Sequence, residues 1–179
     1  MQIENDADGV STIGPAKNKH TSAMDRDPLT PGQIQAVMEI ADPEWKGIVT
    51  FGQHSGQRLR DIARLRWQDI DQEQGIIRFP TRKGTRVIPV GIAPAVAEYL
   101  ATTQKPTSAD SPIFPKAYEV VMRDPMAMEL RYRFGVMQKK AKLKPWSFYM
   151  LRITFFKNLQ SRGVPVMTIR HLLATHSRM

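Results

Sequence analysis

Residues 147–159 read SFYMLRITFFKNL, and helical spacing places Phe148, Arg152, Phe155, Phe156 and Leu159 on one face. An arginine thereby enters an apolar stripe. A guanidinium withdrawn from water needs a carboxylate partner or an anionic ligand, because an unpaired buried charge is very costly. Two structural readings stand beside an anion site: an ion pair that serves only the fold, or a stem that snorkels its charge to water. Whatever this chain folds into must pack that helix and satisfy that guanidinium.

The rest of the chain is punctuated mostly as helices. Thr30-Pro31-Gly32-Gln33 combines a capping residue, a first-turn proline and a glutamine three residues after the cap, and Ile34, Val37, Met38 and Ala41 follow as a stripe. Asp42-Pro43 repeats the start signal for a second helix carrying Ile48, Val49 and Phe51 and ending near Ser55-Gly56. A short third helix is expected from Arg58 to Leu65, with Leu59, Ile62 and Ala63 inward. The period then changes. IIRFP (76–80) and RVIPV (86–90) flank the polar turn Thr81-Arg82-Lys83-Gly84-Thr85 and read as a β-hairpin, with Pro80 and Pro89 suggesting a sheet edge. Lys105–Pro115 reads as a loop, and helices are expected at 94–103, 125–141, 148–161 and 165–173. Gly163 and Pro165 divide the last two. Residues 1–27 lack apolar periodicity and read as a flexible tail or linker. The expected class is mainly α (α+β), helices around a small antiparallel hairpin.

Composition narrows the function. Cysteine is absent, so no disulfide framework or thiolate metal site exists. With four histidines and no close His/Asp/Glu cluster, neither a metal nor a cofactor is expected. No apolar run approaches the ~20 residues of a membrane span, and the polar, acidic N-terminus is unlike a secretory signal. A soluble cytoplasmic protein is the expectation. Twenty-six Lys and Arg against seventeen Asp and Glu give +9, and the cationic surplus lies beyond residue 75, as a polyanion binder would place it.

Two further cations stand at informative places. Arg58 follows the break Ser55-Gly56-Gln57 and opens a helix, where backbone amides favour a phosphate; an ordinary exposed arginine fits equally. Lys83 occupies the hairpin tip, where a solvated turn lysine is the usual case.

In register, these segments resemble a known family. HSGQRLRDIARLRWQDID (54–71) is similar to the small-Gly-x-Arg turn of tyrosine recombinases (phage-type integrases), followed by an acidic residue and Leu-x-Trp. TRKGTRVIPV (81–90) resembles the family's hairpin with its active-site lysine. SFYMLRITFFKNLQSRGVPVMTIRHLLATHS resembles its closing helices, and LTPGQIQAVMEIADPEWKGIVTFG resembles the way these domains begin. The resemblance spans residues 28–179 and implies the tyrosine-recombinase catalytic-domain fold. It also implies metal-independent strand cleavage and rejoining of double-stranded DNA through a 3′-phosphotyrosine, with other recombinase protomers as partners. By that resemblance Arg58 and Arg152 would hold the non-bridging phosphate oxygens and Lys83 would protonate the leaving 5′ oxygen. Arg82, Arg86, Lys139 and Lys140 would meet DNA.

This chain also departs from the family pattern. Tyr149 stands where the family has the histidine three residues before the second arginine, and Ile153-Thr154 replaces His-Thr after it. In Leu172-Leu173-Ala174-Thr175-His176-Ser177, an ungapped match puts Thr175 on the later histidine. His176 reaches that position by a one-residue shift, and His171 lies one turn too early. The family's nucleophilic tyrosine would fall past Met179. The expectation is therefore a C-terminally truncated catalytic domain, without the N-terminal clamping domain and inactive alone. A non-catalytic DNA-binding remnant is the alternative. A helical protein-interaction domain is a further one, opposed by the charge and by Arg152.

Overall fold

The computed structural model describes residues 26–80 and 87–173. Its elements run α1 (Pro31–Ile40), α2 (Pro43–Ser55), α3 (Leu59–Ala63), a 3-10 turn (Trp67–Asp69), β1 (Ile70–Asp71), β2 (Ile76–Pro80) and β3 (Val87–Gly91). There follow α4 (Pro94–Thr102), α5 (Pro115–Arg123), α6 (Met128–Lys140), α7 (Tyr149–Ser161) and α8 (Val166–Leu172). The described residues are thus mainly helical, with one small antiparallel sheet.

Helix starts follow their caps. The Thr30 hydroxyl accepts from Gln33 N at 3.3 Å while Thr30 N donates to Gln33 Oε1 at 2.8 Å, a reciprocal box that fixes α1. Asp42 Oδ1 accepts from Trp45 N at 2.8 Å to open α2. That helix stops at Gly56, whose φ of +63° is left-handed. A Cβ there would lie 2.5 Å from the Phe155 ring, so this turn can approach α7 only as glycine.

The sheet has the order β1-β2-β3, antiparallel throughout. Ile77 pairs with Val90, and Ile77, Phe79 and Val90 are all buried, so one face of the hairpin packs on the helices. The edge reading of the prolines holds for Pro89, which sits in the outer strand β3. Pro80 ends the central strand, but β1 pairs only with residues 76 and 77, so among the described residues no third strand lies alongside it.

α7 is largely buried. Met150, Leu151, Arg152, Ile153, Thr154 and Phe156 are buried on it, and it packs against α2. Leu29 N donates to the Thr154 hydroxyl at 2.9 Å, tying the start of the domain to this helix.

Three expectations need correction. The third helix is Leu59–Ala63, shorter than 58–65, because the chain turns into the 3-10 segment at Trp67. The stretch after the 105–115 loop holds a helix, α5, that the pattern reading passed over. Its N-cap position, Phe114, makes no capping bond; instead Glu44 of α2 accepts from Lys116 N at 3.3 Å and Ala117 N at 2.7 Å. Helix α6 begins at Met128 rather than 125, because Asp124 accepts from the amides of Met126, Met128 and Glu129 and holds a turn with Ala127 left-handed at φ +54°. The expected tail falls almost wholly outside the described residues.

Candidate phosphate-binding site

Arg152 is 1% exposed, which excludes a snorkelling side chain. Among the described residues it makes no ion pair either. Its guanidinium donates instead to two main-chain carbonyls, Nη1 to Gly56 O at 2.8 Å and Nη2 to Leu173 O. The first carbonyl belongs to the glycine that ends α2, the second to the residue that ends α8. Neutral carbonyls orient the charge without cancelling it. Nε is buried with no hydrogen-bond partner among the described residues. Burial pulls the guanidinium down to about 10, and the positive charge of Arg58 pulls the same way, while Tyr149 and Asp61 oppose them.

Arg58 takes the N-cap position of α3 in extended conformation, with its side chain exposed. Its carbonyl accepts from Asp61 N and Ile62 N, while among the described residues its guanidinium has no hydrogen bond or ion pair. Arg58, Arg152 and Tyr149 line one pocket of about 700 Å³, which also includes Arg60 and Arg131. Three elements build it: the start of α3, the α5–α6 turn with the inner face of α6, and the segment 145–149 leading into α7. Arg60 joins two of them, donating to Pro125 O at 3.3 Å.

One carboxylate answers this cluster. Burial raises the pKa of Asp61, and the charges of Arg58, Arg60, Arg152 and Arg64 draw it back down. Asp61 Oδ1 lies 3.9 Å from Arg60 Nε. One acid among so many guanidiniums leaves a strongly positive field, the condition under which a cleft concentrates anions.

The remaining candidates divide. Tyr149 is the first residue of α7, 36% exposed, and lines the pocket. His171 lies in the last turn of α8 and is not among the pocket-lining residues. Lys139 and Lys140 are exposed in the last turn of α6. Arg82, Lys83, Arg86, Thr175 and His176 lie outside the described residues. Pattern reading did not single out Arg60, Arg131, Asp61 or Trp146 as site residues. Asp61 carried a signal, since it follows Arg58 by one helical turn; the others are brought in by tertiary packing alone.

Among the described residues no group of three or more His, Asp or Glu side chains could hold a metal.

The model of the phage integrase family matches residues 28–179. The structure is similar to that of XerA recombinase, with a TM-score of 0.67 and 22% identity, covering 90% of this chain and 59% of that one. It is similar to lambda integrase (75–356), solved as a dimer bound to a COC′ core site, with a TM-score of 0.65 and 17% identity, covering 85% and 58% of the two chains. The lambda integrase catalytic core matches with a TM-score of 0.61 and 17% identity over 86% of this chain and 95% of that one. The chain therefore spans less than two thirds of the XerA recombinase chain and of the longer lambda integrase chain, and nearly all of the catalytic core. No curated protein matches it.

Proposed function

Because the chain belongs to the phage integrase family, we propose that residues 28–179 act on double-stranded DNA as a tyrosine recombinase catalytic domain. Arg58 and Arg152 grip the two non-bridging oxygens of one phosphodiester. Two guanidiniums suit that task, because phosphoryl transfer depends chiefly on positioning and on stabilising charge at those oxygens. In the full reaction a tyrosine attacks the phosphorus, forming a 3′-phosphotyrosine and releasing a 5′ hydroxyl that later reseals the strand. Lys83 protonates the departing 5′ oxygen. Arg82, Arg86, Lys139 and Lys140 contact neighbouring backbone, and His176, Thr175 or His171 supplies the polar group of the later histidine position. No metal or other cofactor takes part.

The observation that carries this reading is Arg152: a buried cation, paired with no carboxylate among the described residues, opening with Arg58 on the same pocket. A guanidinium kept for the fold alone would be better served by a buried carboxylate or by an apolar side chain. Lambda integrase was solved as a dimer on its core site, and we take other protomers of this chain to be its partners on DNA. Among the described residues no helix is long and apolar enough to cross a membrane, and a cytoplasmic setting fits a DNA substrate. A non-catalytic DNA-binding role is a second reading, favoured by one observation: Tyr149 occupies the place of a proton-transfer histidine.

The test is fluorescence anisotropy with a duplex oligonucleotide across a salt series. Neutralising about four phosphates predicts roughly a hundredfold weakening between ~50 and ~200 mM salt. Arg58→Ala and Arg152→Lys should weaken binding more than Arg123→Ala, which removes an exposed cation outside the pocket. Binding that is absent at low salt, or flat across the series, defeats the DNA reading.

A further inference from the structure

The pocket holds more positive charge than one phosphodiester can answer. Arg58, Arg60, Arg131 and Arg152 line it, and among the described residues that do so there is no Asp or Glu. Asp61 stands 3.9 Å from Arg60 Nε, which still leaves three of the four charges unanswered. A phosphodiester brings only a single negative charge. Cations crowded into a cleft repel one another unless anions join them.

The four arginines fall into two pairs. Arg152 feels the charge of Arg58 more than that of any other cation, and these two are the pair given above to one phosphate. Arg60 and Arg131 instead both reach the turn between α5 and α6. Arg60 Nη1 donates to Pro125 O at 3.3 Å, and Arg131, in the first turn of α6, places Nη1 3.8 Å from the Met128 sulfur. The Asp124 carboxylate braces this turn by accepting from the amides of Met126, Met128 and Glu129. Arg60 is thus held to a fixed support, and little of its freedom is left for a ligand to remove. A guanidinium has five N–H donors, so the Pro125 bond leaves Arg60 others for an oxygen. Arg131 is distinguished by what it lacks. Glu129, two residues before it, pairs with both Arg123 and Arg133, neither of which lines the pocket. Arg131 itself makes no ion pair among the described residues. Residues two apart on a helix do not face each other. The carboxylate therefore neutralises arginines directed elsewhere and leaves the one on the pocket charged.

We propose that the pocket takes two consecutive phosphates of one DNA strand, the first held by Arg58 and Arg152 and the second by Arg60 and Arg131. This rests on the phosphate reading above and adds a neighbouring subsite to it. Successive phosphates of a strand lie one nucleotide apart, about 3.4 Å along the helix axis, so DNA presents like anions close enough to enter one cleft of about 700 Å³. Pro125, Met126 and Ala127 line the wall beside the second pair, an apolar surface suited to the sugar that joins the two phosphates. A second phosphate also sets the direction in which the strand crosses the first pair, the register that backbone contacts supply.

The test is calorimetric titration of the 179-residue chain at low salt with thymidine 3′-monophosphate and thymidine 3′,5′-bisphosphate. The second probe carries two phosphates joined through one sugar, as in a strand. The bisphosphate should bind at least about tenfold more tightly, the lower range for hydrogen bonding to a charged group. Arg131→Ala should reduce that preference several-fold, and Arg131→Gln, which keeps part of the stem and loses the charge, should reduce it equally. Arg123→Ala, which removes a cation outside the pocket, should leave the preference at its parent value. Equal affinity of the parent for the two probes overturns the second subsite and leaves the phosphate site standing. A preference that survives both Arg131 variants overturns it too. So does one that Arg123→Ala lowers as much as they do, because charge at a distance then explains the gain. If neither probe binds, the phosphate reading itself fails and the subsite with it. Arg131 is exposed, so both of its variants should fold; if one does not, the other and the parent comparison still decide.

Discussion

Replacing Arg152 with methionine separates a charge kept for binding from one kept for the fold. The side chain keeps much of its bulk and loses its charge. A guanidinium held down at about 10, well below its ordinary value, costs the folded state about 3 kcal/mol at about 1.4 kcal/mol per pH unit. Because the pKa is depressed, that cost is constant at neutral pH and is relieved only as pH rises above about 10. Removing the charge returns this stability. The same change leaves Gly56 O and Leu173 O without their donors, at about 1–3 kcal/mol each. The opposing effects are of similar size, so Arg152→Met should remain folded, within about 3 kcal/mol of the parent. Urea unfolding followed by circular dichroism measures that difference. Millimolar inorganic phosphate should raise the Tm of the parent, because a ligand that binds only the native state stabilises it, and should leave the variant unmoved. Equal stabilisation of both proteins by phosphate, or a variant that cannot fold, would refute the reasoning and make Arg152 a structural residue.

Three other outcomes test the fold and the site. Gly47→Ala places a Cβ 2.2 Å from the Tyr99 ring, where α2 crosses α4, and should destabilise by about 1–3 kcal/mol; Gly135→Ala, exposed on α6 with open space around it, should stabilise by up to about 1 kcal/mol, both read from urea midpoints. Backbone amides from the start of α6 hold Asp124 below the usual carboxylate range, so its contribution is complete at neutral pH and is lost as pH falls through that lowered value; unfolding measured from pH 6 down to about 2 should therefore show a weaker acid dependence in Asp124→Asn. A suicide DNA substrate should trap no covalent adduct on this polypeptide: of its four tyrosines only Tyr149 lines the pocket, and it sits one turn before Arg152 with no histidine among the described residues that line the pocket, so a protease-sensitive shifted band lost in Tyr149→Phe would make it the nucleophile.

What could be read from the residues, and what could not, follows the range of the interaction involved. α1 and α2 were legible because their caps, Thr30 with Gln33 and Asp42 with Trp45, lie three residues from their targets. The hairpin strands were legible because a change of period is local. α5 was missed because the carboxylate that caps it, Glu44, lies more than seventy residues earlier in the chain, although Ala117, Val120 and Val121 already fall at helical spacing on its buried face. The site shows the same division. That Arg152 is buried could be deduced from the phenylalanines around it, but its partners could not. The sequence suggested a carboxylate or an anion, and the guanidinium rests on the carbonyls of Gly56 and Leu173. Every residue carries a carbonyl, so no side-chain pattern marks which two will converge. Convergence is decided by Gly56, the only residue type that lets the end of α2 come so close to α7. The same turn positions Arg58 two residues later, at the start of α3. One glycine therefore sets both guanidiniums on the pocket: it gives Arg152 a neutral carbonyl, which orients the charge without neutralising it, and it swings Arg58 to the opening. A carboxylate in place of that carbonyl would have stabilised the fold and quenched the site.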